Sequence, residues 1–223
     1  MTKYALVTGS TRGIGKAISD TLMINDYHVL RNGRTGGDIL ADLSSLDGVN
    51  KLAEHVLSRE IKLDSLVLNA AATYRKPFNE IDYAHWQLVM DTNVNMPFFL
   101  IQRLSDCIKD GGSILFIGAM LGQKPHATSI PYGVSKAALN MLAQSLVKVF
   151  SPRGIRVNVV SPGFVDTESQ QSKPEKLRVK IENKIALRRF ASEQEVADIC
   201  LGVINNTYIN GAVVNLDGGY DME

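Results

Sequence analysis

Tyr132 and Lys136 are the side chains in this sequence best suited to moving a proton. They are four residues apart in a segment of strong helical periodicity, so both lie on one face of the predicted helix. A lysine ammonium beside a phenol favours the tyrosinate and lowers the tyrosine pKa. Such a phenol protonates a ketone oxygen or accepts the proton of an alcohol. The same spacing is common on ordinary helix surfaces, so its meaning depends on what surrounds it.

The segment Thr8–Gly15 has the composition of a phosphate-binding turn. It reads TGSTRGIG and stands between a predicted strand and a predicted helix. Glycine permits positive φ and lets the backbone approach a ligand closely, and a helix N-terminus presents free N–H groups to a pyrophosphate. The glycine spacing differs from the general G-x-G-x-x-G form. The turn indicates a dinucleotide site or, in the simpler alternative, only a tight strand-to-helix connection.

The rest of the chain alternates between short apolar runs and longer stretches of helical period, which is typical of a parallel sheet with crossover helices. We therefore predict an α/β fold, a single Rossmann-type doubly wound parallel sheet with helices on both faces, in one domain of residues 1–223. The predicted strands are Tyr4–Thr8, His28–Asn32, Ile39–Asp42, Leu63–Leu68, Gly112–Ile117, Arg156–Ser161 and Ala212–Leu216. The predicted helices are Gly13–Ile24, Ser45–Arg59, Trp86–Leu104, Tyr132–Phe150 and Glu193–Ile204.

One connection does not fit this scheme. Only Gly33–Asp38 separates the second and third predicted strands, whereas a parallel crossover usually needs about a dozen residues. Either the usual helix is missing and the third strand is an irregular edge piece, or the strand assignment is wrong.

The composition is ordinary for a globular protein and excludes some partners. The 223 residues are 45% hydrophobic, the formal net charge is +1, and no long basic or acidic run occurs. No apolar stretch reaches the roughly 18 residues that span a bilayer, so we expect neither a nucleic acid nor a membrane partner. The start of the chain lacks the features of a signal peptide, and Cys107 and Cys200 have no metal-ligand or redox spacing. We expect a cytoplasmic protein with reduced thiols and no metal site.

A series of motifs, in order along nearly the whole chain, resembles the short-chain dehydrogenase/reductase family. TGSTRGIG is similar to the family's cofactor turn, and the segment Tyr132–Lys136 matches its YxxxK motif. Further matches in the same register are Asp42-Leu43-Ser44, Asn69-Ala70-Ala71, Asn93, Arg156-Val157-Asn158, Ser161-Pro162-Gly163 and Asn215-Leu216-Asp217-Gly218-Gly219. One such match would be weak evidence for the resemblance, whereas the whole series in the same order and register is specific to the family.

The resemblance implies a role for each matching residue. A nicotinamide cofactor carries out the hydride chemistry, Tyr132 exchanges the proton, Lys136 also holds the nicotinamide ribose, and Asn93 anchors a water in the proton relay. The cofactor-binding residues that it implies, besides Tyr132 and Lys136, are Gly9, Ser10, Thr11, Arg12, Gly13, Ile14, Gly15, Arg34, Asp42, Leu43, Asn69, Ala70, Ala71, Pro162, Gly163, Val165 and Thr167.

Arginines at the end of the second strand favour NADP(H) over NAD(H). An NAD site of this architecture usually has an acidic residue about 20 residues after the glycine turn, but the chain reads LRNGR over residues 30–34. The guanidinium of Arg34 is suited to a 2′-phosphate, and Arg12 adds charge from within the turn. Two alternatives remain: the arginines are solvated surface residues, or Asp38, two glycines later, supplies the acid.

Ala119 departs from the family pattern. Members usually have a serine about a dozen residues before the tyrosine, which donates a hydrogen bond to the substrate oxygen. Alignment on Gly112-Ser113-Ile114 and Gly122 puts Ala119 at that position. The chain is then an inactivated Ser→Ala variant, a natural member with weak or lost catalysis, or an enzyme in which Thr128 or Ser129 supplies the hydroxyl. We favour an impaired reductase, because a loop hydroxyl is less firmly held than one at a strand end.

The leading function is an NADPH-dependent reductase of a small-molecule carbonyl or alcohol, such as a 3-oxoacyl-carrier-protein reductase or a relative acting on a small or steroid-like ketone. The resemblance implies a homo-oligomer, a dimer or tetramer, built on the helices around Trp86–Leu104 and Tyr132–Phe150. It places the substrate between the loop Met120–Pro131 and the polar segment Phe164–Phe190, which we interpret as a lid.

The rival function is a non-catalytic dinucleotide-binding sensor or scaffold. Ala119 favours this rival, and the presence of Tyr132, Lys136 and Asn93 opposes it, because a protein that only binds would not need all three.

Overall fold

A parallel sheet of seven strands forms the centre of the computed structural model, which describes residues 2–222. The strands are β1 (Lys3–Val7), β2 (Tyr27–Gly33), β3 (Ile39–Leu40), β4 (Leu63–Leu68), β5 (Ile108–Ile117), β6 (Arg156–Pro162) and β7 (Val213–Leu216). They lie in the order β3-β2-β1-β4-β5-β6-β7, and every neighbouring pair is parallel. The order reverses between β1 and β4, so a crevice for a ligand opens at the carboxyl ends of these two strands.

Helices cover both faces of the sheet, as predicted. They are α1 (Gly13–Ile24), α2 (Leu46–Leu57), α3 (Tyr83–Met90), α4 (Met96–Leu104), α5 (Ile130–Phe150), α6 (Glu168–Gln171), α7 (Glu175–Glu182) and α8 (Glu193–Asn205). Buried residues of α2, α4 and α5 form one core with the sheet, and those of α1 and α8 form another on the opposite face. The doubly wound α/β prediction is therefore confirmed.

Most predicted bounds shift by one or two residues, and two predicted elements, β5 and the helix Trp86–Leu104, depart further from the prediction. β5 begins at Ile108, four residues before the predicted start at Gly112, with a break in its pairing to β4 between Leu63 and Ser65. The predicted helix Trp86–Leu104 is instead α3, a π-helical turn over Asp91–Asn95 and α4. The proposed lid contains the two short helices α6 and α7.

The connection from β2 to β3 has no helix, and β3 is an irregular edge strand of two residues. The buried Asn32 amide holds this short crossover, because its Nδ2 donates to the carbonyl oxygens of Ile39 (3.1 Å) and Ala41 (3.2 Å). Gly37 turns the chain at φ +91°, and a Cβ there would stand 2.7 Å from the Arg31 carbonyl oxygen. The first of the two alternatives for this segment is thus correct.

Within residues 2–222, no helix is both long enough and apolar enough to cross a membrane. The same residues contain no group of three or more His, Cys, Asp or Glu side chains placed to hold a metal ion.

Candidate active site

The turn between β1 and α1 is shaped by close backbone contacts. Gly9 has φ +62°, and a Cβ there would lie 2.9 Å from the Ala70 Cα atom. At Gly15 a Cβ would lie 2.3 Å from the Gly9 carbonyl oxygen. Side chains at both positions would therefore displace backbone, which explains why glycine occupies them. The first turn of α1 is left open to a ligand.

Hydrogen bonds join this turn to the end of β4. The Asn69 amide donates to the carbonyl oxygens of Thr8 (3.1 Å) and Gly9 (2.9 Å). In return, the Thr8 hydroxyl accepts from the backbone N–H groups of Asn69 (2.9 Å) and Ala70 (3.1 Å). The two motifs that sequence comparison treats separately are thus one hydrogen-bonded unit at the sheet crevice.

A cleft of about 570 Å³ runs across the carboxyl ends of β1, β2 and β4. Its lining contains these predicted cofactor residues: Gly9, Thr11, Arg12, Gly13, Ile14, Gly15, Arg34, Asp42, Leu43, Asn69, Ala70, Ala71 and Thr167. Ser10 is an exception, since it is buried behind the turn and its hydroxyl donates to the Asn32 carbonyl oxygen at 3.1 Å. Ser10 thus supports the turn without lining the cleft.

Two arginine side chains contribute positive charge to the cleft. Arg12 and Arg34 line it, and neither guanidinium has a hydrogen bond or ion pair with the rest of residues 2–222. Arg31 lies outside it, and its side chain donates to Asp38 at 3.3 Å. Burial would raise the pKa of Asp38, but the hydrogen bonds from Arg31 hold it below its ordinary value. Asp38 is therefore occupied and is not a cleft residue.

A second cavity of about 220 Å³ adjoins the cleft, and Ile14, Asn69, Ala71 and Thr167 line both. The catalytic candidates Tyr132, Lys136 and Ala119 line this cavity, as do the predicted cofactor residues Pro162, Gly163 and Val165. Cleft and cavity are therefore one continuous groove that leads from the glycine turn to the phenol.

Burial sets the protonation of the Tyr132–Lys136 pair. The Lys136 Nζ atom lies 5.6 Å from the centre of the Tyr132 ring and donates to the Ile117 carbonyl oxygen at 2.7 Å. Burial lowers the pKa of Lys136 to about 8. It raises the pKa of Tyr132 to about 12, against the opposing charge of Arg75. The predicted lowering of the phenol pKa is therefore wrong, because burial outweighs the neighbouring positive charge.

Asn93 is buried in the π-helical turn and lines neither the cleft nor the cavity. Its Oδ1 accepts from the Ala72 N–H at 2.8 Å, and its Nδ2 donates to the Ala72 carbonyl oxygen and the Ser135 hydroxyl, both at 2.9 Å. The side chain therefore ties the segment after β4 to α5, one turn from Tyr132.

Ala119 lies where the sequence alignment places it, at the end of β5 and on the cavity wall. Neither loop hydroxyl lines that cavity. Thr128 is exposed, with its hydroxyl 3.3 Å from the His126 Nδ1 atom. Ser129 is buried, and its hydroxyl has no hydrogen-bond partner within residues 2–222. Neither of these two loop residues therefore brings a hydroxyl to the cavity wall beside Ala119.

Some groove residues were not identified from sequence. Ala72 and Thr73 follow the recognised Asn69 motif, and Glu168, Ser169 and Gln170 belong to α6. The first two could have been found by extending the motif past the strand end. The α6 residues lie within the segment predicted to be a lid, but no motif singles them out, because only tertiary packing brings that helix to the groove. The remaining additions are Asn32, Gly33, Ala41, Ser44, Leu88, Thr92, Ile117 and Gly118.

Fold and groove together define a Rossmann-type dinucleotide-binding domain with a tyrosine–lysine pair beside the cofactor cleft. Residues 9–221 match the family profile described as enoyl-(acyl carrier protein) reductase. The chain belongs to this family of short-chain dehydrogenases/reductases, and it is thus an oxidoreductase by family.

Individual relatives are similar over almost their whole length. The 3-oxoacyl-[acyl-carrier-protein] reductase FabG of Aquifex aeolicus is 32% identical, with 97% of this chain and 96% of the relative covered. The structure of the angucycline C-6 ketoreductase LanV with bound NADP superposes with a TM-score of 0.92 at 27% identity, covering 99% and 96% of the two chains. The structure of a blue fluorescent protein from a metagenomic library, in complex with NADPH, superposes with a TM-score of 0.91 at 26% identity, and the match covers 97% of each chain.

Proposed function

We propose that this protein is an NADP(H)-dependent reductase that interconverts a carbonyl compound and its alcohol. The observation that carries the proposal is the continuity of the dinucleotide cleft with the cavity of Tyr132 and Lys136. A dinucleotide that occupied this groove would extend from the glycine turn to the cavity of the Tyr132 phenol, which can donate a proton. Two relatives are named as reductases of a carbonyl group, a 3-oxoacyl reductase and a ketoreductase, which supports the same reaction type.

The residues present fit a dinucleotide phosphate. The open N-terminus of α1 and the close backbone of Gly9 and Gly15 suit the pyrophosphate. Arg12 and Arg34, which have no partner among residues 2–222, suit a 2′-phosphate, and the ion pair with Arg31 removes Asp38 as a competing ribose ligand. NADPH and NADP are also the cofactors named in two of the similar structures.

When bound, the nicotinamide supplies or accepts the hydride. Tyr132, whose pKa is raised by burial, carries the proton that the carbonyl oxygen needs in the reduction direction. The Lys136 ammonium uses one donor on the Ile117 carbonyl and has further N–H groups for ribose hydroxyls. Asn93 acts as a positioning residue, because its side chain holds the Ala72 backbone against α5.

Because residue 119 is alanine, the site lacks the hydrogen-bond donor that a serine would supply at this position. A carbonyl oxygen in this cavity receives a hydrogen bond from Tyr132 but none from the end of β5. We propose that the protein therefore reduces its substrate more slowly than a version with serine at this position. The second candidate function, a dinucleotide-binding sensor or scaffold, is favoured by the same alanine. It predicts that Ala119→Ser does not raise the rate of reduction.

The test is NADPH oxidation with a panel of ketones, run for the natural chain and for Ala119→Ser side by side. Turnover in either protein that is lost in Tyr132→Phe supports the reductase. Tight NADPH binding without turnover by any version on any ketone refutes it and leaves the binding protein.

A further inference from the structure

Gln170 is the residue of α6 that lines the cavity of Tyr132 and Ala119. The two preceding residues of this helix, Glu168 and Ser169, line the cofactor cleft instead. Gln170 does not line that cleft. It therefore lies on the side of the groove where the phenol is, beyond the part that the glycine turn shapes for the dinucleotide.

Most other polar side chains of this cavity are already engaged. The Asn69 amide donates to two carbonyl oxygens of the glycine turn, and the Thr167 hydroxyl lies 3.2 Å from the Ser169 hydroxyl. The Gln170 amide, in contrast, makes no hydrogen bond with the rest of residues 2–222. Besides the tyrosine–lysine pair, Gln170 is therefore the polar side chain of the cavity wall that remains available to a ligand.

The two ends of the Gln170 amide differ in accessibility. The Oε1 atom is buried and has no hydrogen-bond partner in the described part of the chain. The Nε2 atom is therefore the end that is left to contact a molecule in the cavity. It carries two N–H donors and no charge. Such a group suits a neutral oxygen that accepts a hydrogen bond.

The backbone of Gln170 is held in place by its neighbours. Its N–H donates to the Thr167 carbonyl oxygen at 2.8 Å, and its carbonyl oxygen accepts from the Arg178 guanidinium at 3.2 Å. Arg178 is itself fixed, because it donates to Asp166 at 2.8 Å and lies 4.5 Å from the centre of the Phe190 ring. The amide therefore projects from a positioned backbone, as a residue that selects a substrate requires.

We propose that the Gln170 amide donates a hydrogen bond, through Nε2, to a neutral oxygen substituent of the substrate, while the ketone of the same molecule lies at Tyr132. The inference rests on the proposed reductase function and narrows its substrate class to ketones that carry a hydroxyl or ether oxygen. Gln170 is a specificity-determining residue in this scheme and takes no part in proton transfer.

The test compares ketones of equal size with and without the second oxygen. NADPH oxidation is measured with hydroxyacetone against 2-butanone, and with 4-methoxy-2-butanone against 2-hexanone. Gln170→Met keeps the approximate size of the side chain and removes the donor. We expect it to lower the ratio of kcat/KM, oxygenated ketone over alkanone, by about three- to tenfold in at least one pair. The change should come mainly through KM, with NADPH affinity unchanged.

Gln171→Met is the matched control. This neighbouring glutamine is exposed and lines neither the cleft nor the cavity. Its Nε2 already donates to the Asp166 carbonyl oxygen at 3.3 Å. The Gln171→Met protein should therefore keep the ratio of the natural chain.

A ratio that Gln170→Met leaves unchanged overturns the assignment, and turnover by the natural chain then leaves the reductase standing. An equal loss of rate for both members of each pair also overturns it, because Gln170 then acts on the reacting oxygen or on packing. Weaker NADPH binding by Gln170→Met with the ratio kept overturns it in favour of a cofactor contact.

A binding measurement needs no turnover. Ligand-observed NMR compares 4-methoxy-2-butanol with 2-hexanol, and 1,2-propanediol with 2-butanol, on the protein with NADP⁺ added. Tighter binding of the oxygenated alcohol that is lost in Gln170→Met supports the hydrogen bond even if every ketone proves inert. Equal binding of the two alcohols in both pairs overturns it.

Discussion

The pair Tyr132 and Lys136 shows how burial and neighbours divide two roles between adjacent side chains. We predict that Tyr132→Phe lowers reduction by about a hundred- to ten-thousand-fold and leaves NADPH affinity nearly unchanged. Lys136→Ala should lower both the rate of reduction and the affinity for NADPH, since the ammonium is expected to hold the ribose. Kinetics and fluorescence titration of both variants check this, and identical cofactor affinities in the two would contradict the division.

The same pair predicts a pH dependence. Below a pKa of about 8 Lys136 is charged, and it loses the proton as pH rises through that value. NADPH affinity of the natural chain should therefore fall between pH 7 and 9.5, and Lys136→Ala should not show this fall.

The absence of a side-chain hydroxyl at Ala119 is expected to lower the rate of carbonyl reduction. Losing a preorganised donor to a developing oxyanion costs about a hundred- to a thousand-fold, or roughly 2.7–4 kcal/mol. We predict that Ala119→Ser gains a factor of this order in kcat and little in substrate affinity, because a neutral carbonyl binds a donor more weakly than the transition state does. Steady-state kinetics on an active ketone measures both.

Two control variants test the alternative that a loop hydroxyl is the hydrogen-bond donor. Thr128→Ala and Ser129→Ala should leave the rate intact, because neither hydroxyl lines the cavity. If one of them abolishes activity while Ala119→Ser gains nothing, the loop hydroxyl is the true donor and the loop must move to deliver it.

Arg34 carries the preference for a phosphorylated cofactor. Its guanidinium lines the cleft and has no partner in the described part of the chain, and a charge-assisted hydrogen bond contributes about 1.5–3 kcal/mol. We predict that Arg34→Ala weakens NADPH binding by about ten- to a hundredfold and changes NADH binding little. Titration of both cofactors measures this, with the exposed Lys51→Ala on α2 as the control. NADH binding that equals NADPH binding in the natural chain would refute the assignment.

At the scale of elements, the sequence predicted the strongly periodic parts well. α1 and β4 have the predicted bounds, because an apolar pattern and a clear turn mark both ends. The π-helical turn Asp91–Asn95 was missed, since its widening leaves the apolar period of Trp86–Leu104 almost intact. The early start of β5 was missed because Gly111 and Gly112 resemble a turn, and the strand crosses them with a pairing irregularity.

Among the site residues, those in local motifs were found and those brought by packing were not. Thr11 and Asn69 belong to a turn and a strand end that read clearly in sequence, whereas Gln170 reaches the cavity through the path of α6. The raised pKa of Tyr132 was not predictable either, because it depends on burial from several elements at once.

The Asn32 side chain helps to hold the short β2–β3 crossover, which gives a prediction for that element. Asn32→Ala removes the hydrogen bonds to the Ile39 and Ala41 carbonyls. Leaving buried acceptors without a donor costs about 1–3 kcal/mol, so unfolding by urea should occur at lower concentration. NADPH affinity should also fall, because Asp42 and Leu43 line the cleft directly after this crossover.

Thr35→Ala is the control for that variant, since Thr35 is exposed in the same crossover. An Asn32→Ala protein as stable as the Thr35→Ala protein would contradict this prediction and would show that the other contacts of the crossover, such as the Arg31–Asp38 pair, are enough to hold it.

At the scale of the whole molecule, the outer surfaces of α4 and α5 expose apolar side chains. Phe99 is 37% exposed on α4, and Met141 is 63% exposed on α5. We predict a homodimer or homotetramer built on these helices, in which such side chains become buried. Light scattering should give the mass of an oligomer for the natural chain and a smaller mass for Phe99→Glu/Met141→Glu. Ile24→Glu, on the exposed end of α1, is the matched control and should not dissociate it. A monomeric natural chain at micromolar concentration would contradict the prediction.

The two-residue strand β3 also determines how this molecule meets other copies of itself in crowded solution. An edge strand recruits further chains through a long row of unpaired N–H and C=O groups. Ile39 and Leu40 are too few to offer such a row, and the Arg31–Asp38 ion pair places charge beside them. The sheet edge left uncovered by the missing helix is therefore a poor template for intermolecular strand addition, and aggregation of the folded protein should not start there.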